Sequence, residues 1–315
     1  MPEEVKESSV KRMACKAPIP LAGLMLGLAS AGNMVPEVRP LFGLLSAMVL
    51  AVLLLKLTLD SKTCREEFKN PAVVGILCTI PMGVSILTTY TKPVLPNISF
   101  AIWIAMLVIH FGIMVYFTKA FMFKLDIKKV LPSYFIVYVG ITVGSVVAPT
   151  YGAYEIGQAL FWFGFISYLV LLPLIFYRAA VLRSVPEPLV PTIAIFAAPA
   201  SLCLAGYLKS FESETMWVVA VLFVLSIVSY VAVILYMPKM LRLKFYPSCS
   251  AFTFPLVISA IATNATYSWL QTQGIDIPVI QYLAYLEIIL ALLLITFVLV
   301  RYMGHFFVKK DPRPA

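Results

Sequence analysis

Apolar positions in this chain come in long unbroken blocks separated by short clusters of polar, basic and proline residues. A lipid core about 30 Å thick needs roughly 20 apolar residues per helix, and blocks of this length read as membrane spans. They must be helical, because lipid offers no partner to an unpaired backbone amide or carbonyl. The pattern predicts ten spans, at 17–35, 37–59, 72–91, 97–122, 131–150, 155–181, 189–208, 214–240, 247–270 and 278–307. The longer ones tilt or extend past the lipid. Connections are short, so consecutive spans are expected to be antiparallel neighbours. The organisation read from this is a cytoplasmic tail (1–16), one ten-helix transmembrane domain (17–307) and a second cytoplasmic tail (308–315).

A repeat lies under the pattern. Each odd-numbered span opens near a proline, Pro18, Pro71, Pro132, Pro191 and Pro247, spaced 53, 61, 59 and 56 residues apart. Proline suits a first helical turn, where its missing N–H has no partner to lose. Further in, each odd span carries a helix-weakening residue: Gly27, Pro81, Gly140, Pro199 and Pro255. Five hairpins with a weak point at matching depth imply pseudo-symmetry. The odd spans are rich in Gly, Ala, Ser and Thr, as from Gly140 to Ser145 or Ala197 to Ser201, whereas the even spans are rich in Leu, Ile, Val and aromatics. Small residues let helices approach closely. The expected fold is therefore all-α and integral to the membrane: five helical hairpins, odd helices in an inner ring around a kinked conduit, even helices outside.

Composition agrees with this and removes alternatives. Hydrophobic residues make up 61% and charged residues 12%, against about 25% charged in soluble domains. The net charge of +9 does not indicate nucleic acid, because the basic residues are scattered through short loops. Of 24 Lys and Arg, all but Arg39, Lys92 and Lys209 fall on the side of the chain termini. Translocation of basic residues is opposed, which puts both termini in the cytoplasm. Lys11, Arg12 and Lys16 before an apolar stretch ending in Ala29-Ser30-Ala31 mimic a signal peptide, but the segment also takes its place in the repeat and is read as an intact first span. Five cysteines, Cys15, Cys64, Cys78, Cys203 and Cys249, have neither disulfide-like nor metal-ligand spacing.

The chemistry carried by the spans is sparse. Spans 3, 5, 7 and 9 have no charged residue between their ends, and there is no acidic relay, arginine ladder, Asp-rich Mg²⁺ motif or nucleophile with its base. No enzyme, metal or cofactor is expected. Two ionisable groups stand inside even spans, His110 and Glu287; such groups usually mark function, here as a candidate proton-sensing pair or as groups satisfied by neighbouring hydroxyls. Lys56 is expected to snorkel from the end of span 2. All five odd spans start on the basic side, so their positive N-terminal ends, with Lys16, Lys69, Lys128, Lys129, Arg242 and Lys244, make a field attractive to anions. Thr79, Ser145, Ser201 and Thr253 are candidate hydroxyl donors along a conduit wall, which would select weakly by field and radius.

The residues Ala251-Phe-Thr-Phe-Pro255 with Ile261-Ala-Thr263 in span 9, and Gly23 with Gly27-Leu28-Ala29 in span 1, resemble motifs of the TehA and slow-type anion channel group, the tellurite-resistance/dicarboxylate transporter family. The resemblance extends over the whole chain through the five-hairpin plan. It implies a bacterial or archaeal plasma-membrane protein, a homotrimer with a pore in each subunit, and a plug formed by the phenylalanine before the span 9 proline, here Phe254. Gly23 joins the residues expected to line the pore. The chain departs from the group in having Ser250 where a bulky residue is usual, and glycine rather than proline at the kinks of spans 1 and 5. Short tails leave kinase gating unexpected. The function expected is passive conduction of small inorganic or carboxylate anions. The alternatives are a proton-coupled carrier for dicarboxylate, sulfite or tellurite-type anions, which would draw on Glu287 and His110, and a receptor or scaffold with no conductance.

Overall fold

The computed structural model describes residues 16–123, 125–182 and 185–307, and among these the regular structure is all helical. The tails assigned to 1–16 and 308–315 fall outside the described residues apart from Lys16. Eight helices are long and apolar enough to cross a membrane: α2 (Pro36–Leu59), α3 (Pro71–Thr91), α4 (Pro96–Met122), α6 (Tyr154–Val181), α7 (Glu187–Ser210), α8 (Met216–Leu241), α9 (Pro247–Thr272) and α10 (Pro278–Phe306). The other two predicted spans take different forms. The first, α1 (Leu21–Met34), is a 14-residue apolar helix. The fifth, here α5 (133–151), is a succession of short α- and 3₁₀-helical pieces.

Odd and even elements differ sharply in burial. In the most apolar 18-residue stretch of each long helix, 67% of α3, 78% of α7 and 78% of α9 is buried, against 22–33% of the even helices. The odd elements touch in a closed cycle, α1 to α3, α3 to α5, α5 to α7, α7 to α9 and α9 back to α1. Each even helix packs into the crevice between its own odd partner and another odd neighbour: α2 on α1 and α3, α4 on α3 and α5, α6 on α5 and α7, α8 on α7 and α9, α10 on α9 and α1. Without a hydrophobic drive between helices in lipid, close approach and hydroxyl bonds hold such contacts. Ser46 donates to the Met25 carbonyl at 2.8 Å, Tyr90 to the Ala29 carbonyl at 2.6 Å, and Tyr302 to the Pro247 carbonyl at 2.6 Å. Large apolar side chains such as Leu44, Phe111, Val170, Leu235 and Leu293 stay exposed on the even helices, the surface expected to meet lipid.

The odd elements break where the repeat places its weak points, with one exception. In α3 the first piece, Pro71–Leu77, capped by the Asn70 side chain on the Ala72 amide, gives way at Cys78 to Thr79–Thr91, with Pro81 in the new first turn. In α7 and α9 a 3₁₀ stretch becomes α-helix just ahead of Pro199 and Pro255, as a ring that blocks the preceding hydrogen bond requires. In α5 the α-helical turn ends before Gly140. Gly27 is the exception and corrects the expectation of a kink: α1 runs unbroken through it. A single glycine only weakens a helix; here its missing side chain makes room for α9, because a Cβ would run into the Thr253 side chain.

Lys56 also departs from expectation. Instead of reaching outward it is buried under the short helix Ser61–Glu67, with its ammonium 3.2 Å from Asp60 and 3.8 Å from Glu67. The Thr63 hydroxyl holds the Asp60 carboxyl below its usual range, while burial pushes that of Glu67 up. Lys56→Met is expected to cost about 1–2 kcal/mol, less than a fully buried pair, because both carboxylates keep some water. Thermal unfolding in detergent, followed by tryptophan fluorescence, measures it.

Candidate functional site

All five odd elements border one small apolar cavity of about 50 Å³. α1 supplies Gly23 and Leu26, α3 Thr79 and Met82, α5 Phe135 and Gly140, α7 Ala198, Pro199 and Leu202, and α9 Ser250, Phe254 and Pro255, among others. No charged residue lines it. The breaks in α3, α5, α7 and α9 lie beside it: Thr79, Gly140, Ala198 and Phe254, each opening a new helical piece, all border the cavity. Ser250 carries the departure from the usual bulky residue, and its small side chain lies against Gly23, where a Cβ would come within 2.9 Å of its hydroxyl.

A second, wide cavity of about 970 Å³ opens toward the ends of the same elements. Met34, Thr89, Thr150, Lys209 and Thr272, from the C-terminal ends of α1, α3, α5, α7 and α9, all border it. Phe254 and Leu202 border both cavities. Phe254 is buried at the first position of the α-helical part of α9, after Thr253, whose φ of −92° and ψ of −83° mark the break. The residues before the other kink prolines are Ile80 and Ala198, so the bulky ring is a feature of one repeat unit only.

The remaining predicted site residues divide. Gly23, Thr79, Gly140, Pro199 and Pro255 line the small cavity; Gly27, Pro81, Ser145, Ser201 and Thr253 border neither cavity. The last three hydroxyls are spent between elements or on their own helix, which corrects their reading as wall donors. Ser145 bonds the Gly206 carbonyl at 3.2 Å and the Ser210 hydroxyl at 3.1 Å, joining α5 to α7. Ser201 bonds the Ala197 carbonyl and the Ser226 hydroxyl of α8, each at 2.7 Å. Thr253 donates to the Gly23 carbonyl at 3.0 Å and the Ser250 carbonyl at 2.7 Å, joining α9 to α1. Thr79, though on the wall, donates to its own helix at Ile76, 2.7 Å away.

His110 and Glu287 are both buried but are not a pair. His110 Nε2 lies 2.9 Å from the Val137 carbonyl of α5, whereas Glu287 Oε2 accepts from Thr263 of α9 at 2.9 Å. Its other oxygen, Oε1, is buried beside the Ser259 hydroxyl, itself buried and bonded to nothing else. Sequence reasoning missed Leu202, Met82 and Phe135 on the cavity wall. Their nearness in sequence to Pro199, Pro81 and Gly140 was a usable signal, but apolar residues are common in every span.

The sequence from residue 17 to 303 matches the voltage-dependent anion channel family. The chain belongs to this family. The match takes in every odd element and all but the last residues of α10, and it covers the TehA and slow-type anion channel group that the span 1 and span 9 motifs resemble. No individual curated protein matches the chain significantly. Membership in a family of anion channels gives this multi-pass membrane protein a general anion channel role. The two cavities are where that role has to be sought.

Proposed function

We propose that this member is a passive channel for small anions, built from five hairpins whose odd elements surround the pore, with Phe254 as its plug. The observation that carries this is the position of the Phe254 ring: it borders an apolar chamber ringed by all five odd elements on one side and the wide cavity on the other. A narrow apolar constriction bars ions and water alike, and moving one ring aside removes the bar. With the Thr79 hydroxyl donating to its own helix, the chamber offers too little to hold an ion tightly, which suits conduction over storage. The asymmetry of basic residues supports cytoplasmic termini, so that the wide cavity faces outward. Resemblance to the TehA group supports a homotrimer with one pore per subunit.

The buried carboxyl of Glu287, held only by neighbouring hydroxyls and no cation, favours a second reading, a proton-coupled carrier, since such a carboxyl can take up a proton. Recordings in planar bilayers under ion substitution separate the two. For a channel, the reversal potential follows the chloride gradient, ignores an imposed pH gradient, and is unchanged by Glu287→Gln. A reversal potential that tracks pH in the wild type and stops doing so in Glu287→Gln makes the protein a carrier; current unaltered by a large impermeant anion means no anion conduction.

A further inference from the structure

Three basic residues break the charge asymmetry of the sequence, and two of them are engaged in one recurring contact. Arg39, at the start of α2, donates from Nη2 to the carbonyl (3.1 Å) and hydroxyl (2.9 Å) of Thr89 near the end of α3, and its guanidinium stacks on Tyr90 at 4.4 Å. Lys92, just after α3, donates to the Thr150 carbonyl near the end of α5. Gln158, early in α6, donates to the Ser210 carbonyl ending α7 at 3.0 Å. Three times, then, a side chain following one odd element closes the carbonyl end of the next.

The electrostatics of the wide cavity make the charge on two of these side chains consequential. A helix C-terminus carries up to about half a negative charge, and the ends of all five odd elements border this cavity. Uncompensated, they would repel an anion and welcome a cation. Lys209 at the rim is opposed by Glu212 and Glu214, which border the same cavity. Arg39 is the other cation on the cavity wall, and Lys92, outside the lining, reaches it through the Thr150 carbonyl. Gln158 demonstrates that a neutral amide makes the same bond, so hydrogen bonding alone does not call for a cation at the other two positions.

We propose that Arg39 and Lys92 raise the anion preference of this mouth by offsetting the carbonyl ends of α3 and α5 that border the wide cavity. This rests on the channel reading above. The test uses the full-length protein carrying Phe254→Ala, with the chloride-to-potassium permeability ratio read from reversal potentials in KCl gradients. Arg39→Gln and Lys92→Gln keep a donor and remove a charge; Gln158→Lys keeps a donor and adds one. A unit charge about 10 Å from the ion path is worth about twofold. The ratio should fall about twofold for each loss, about fourfold for the double variant, and rise about twofold for Gln158→Lys. These differences should vanish near 1 M salt, where screening acts within about 3 Å; a bracing role would not depend on salt. A conducting parent whose ratio is unmoved by all four variants, or moves equally at low and high salt, overturns the inference alone. A parent without anion current overturns the channel reading and this inference with it.

Discussion

Phe254→Ala is expected to raise anion current at least about tenfold over wild type, equivalent to lowering the barrier by about 1.4 kcal/mol or more. The reason is the ring's place between the two cavities. Removing it is expected to join them, leaving Leu202 as the other residue that borders both. Substitutions elsewhere on the wall, such as Met82→Ala, enlarge the chamber without opening a path and should change current far less. A core Phe→Ala change costs about 3–5 kcal/mol in soluble proteins. Phe254 is buried in the core, so a cost in that range is expected, and size-exclusion chromatography of the detergent-solubilised protein checks that the variant still folds. Phe254→Leu, apolar and only somewhat smaller, should remain nearly closed. Current from Phe254→Ala within twofold of wild type would remove the ring as the plug.

Gly27→Ala is expected to damage the protein more than Gly23→Ala in the same helix, where a Cβ meets a side chain first and no backbone atom closer than 3.5 Å. A Cβ at this position meets the Thr253 side chain at 2.5 Å from its Cβ and the Phe254 amide nitrogen at 3.1 Å. Backbone cannot give way as a flexible side chain can, and forced extra atoms in a packed contact cost about 1–3 kcal/mol. The strain falls on the break of α9 that presents Phe254, and the α1–α9 bond from Thr253 to the Gly23 carbonyl should weaken with it. Two effects are therefore expected together: a lower unfolding temperature, and leakier or altered basal current as the ring is displaced. Gly112→Ala and Gly304→Ala serve as controls, since nothing lies within 4 Å of a Cβ at either position. A Gly27→Ala protein as stable as these controls would show that α1 and α9 are not closely apposed here.

Resemblance alone singled out Phe254. Read from its residues, Ala251 to Pro255 is a short apolar stretch before a proline, in which the phenylalanine would pass for an ordinary core aromatic. Its distinction is spatial: of the residues before the kink prolines, Ile80 and Ala198 are smaller, and only a closed ring of elements makes that difference meaningful. The hydroxyls of Ser145, Ser201 and Thr253 illustrate the opposite error. Composition says that an odd span has small polar residues, but not whether a hydroxyl turns to a cavity or to a neighbouring helix, since either choice satisfies it.

Taken by itself, the sequence determined the membrane class, the odd and even textures, the proline-spaced repeat and the weak points at Pro81, Gly140, Pro199 and Pro255. All of these follow from local rules: apolar length against lipid thickness, proline's missing amide, and the close approach that small residues permit. Tertiary structure alone decided that Gly27 is a contact and not a kink, that His110 and Glu287 belong to different interfaces, that Lys56 is roofed over, and that Arg39, Lys92 and Gln158 close the ends of neighbouring elements. Apart from Lys56, whose partners Asp60 and Glu67 follow shortly after it, each of these depends on which residue some 20 to 230 positions away comes to lie opposite, and a pattern of periods 2 and 3.6 contains no information about partners across the ring.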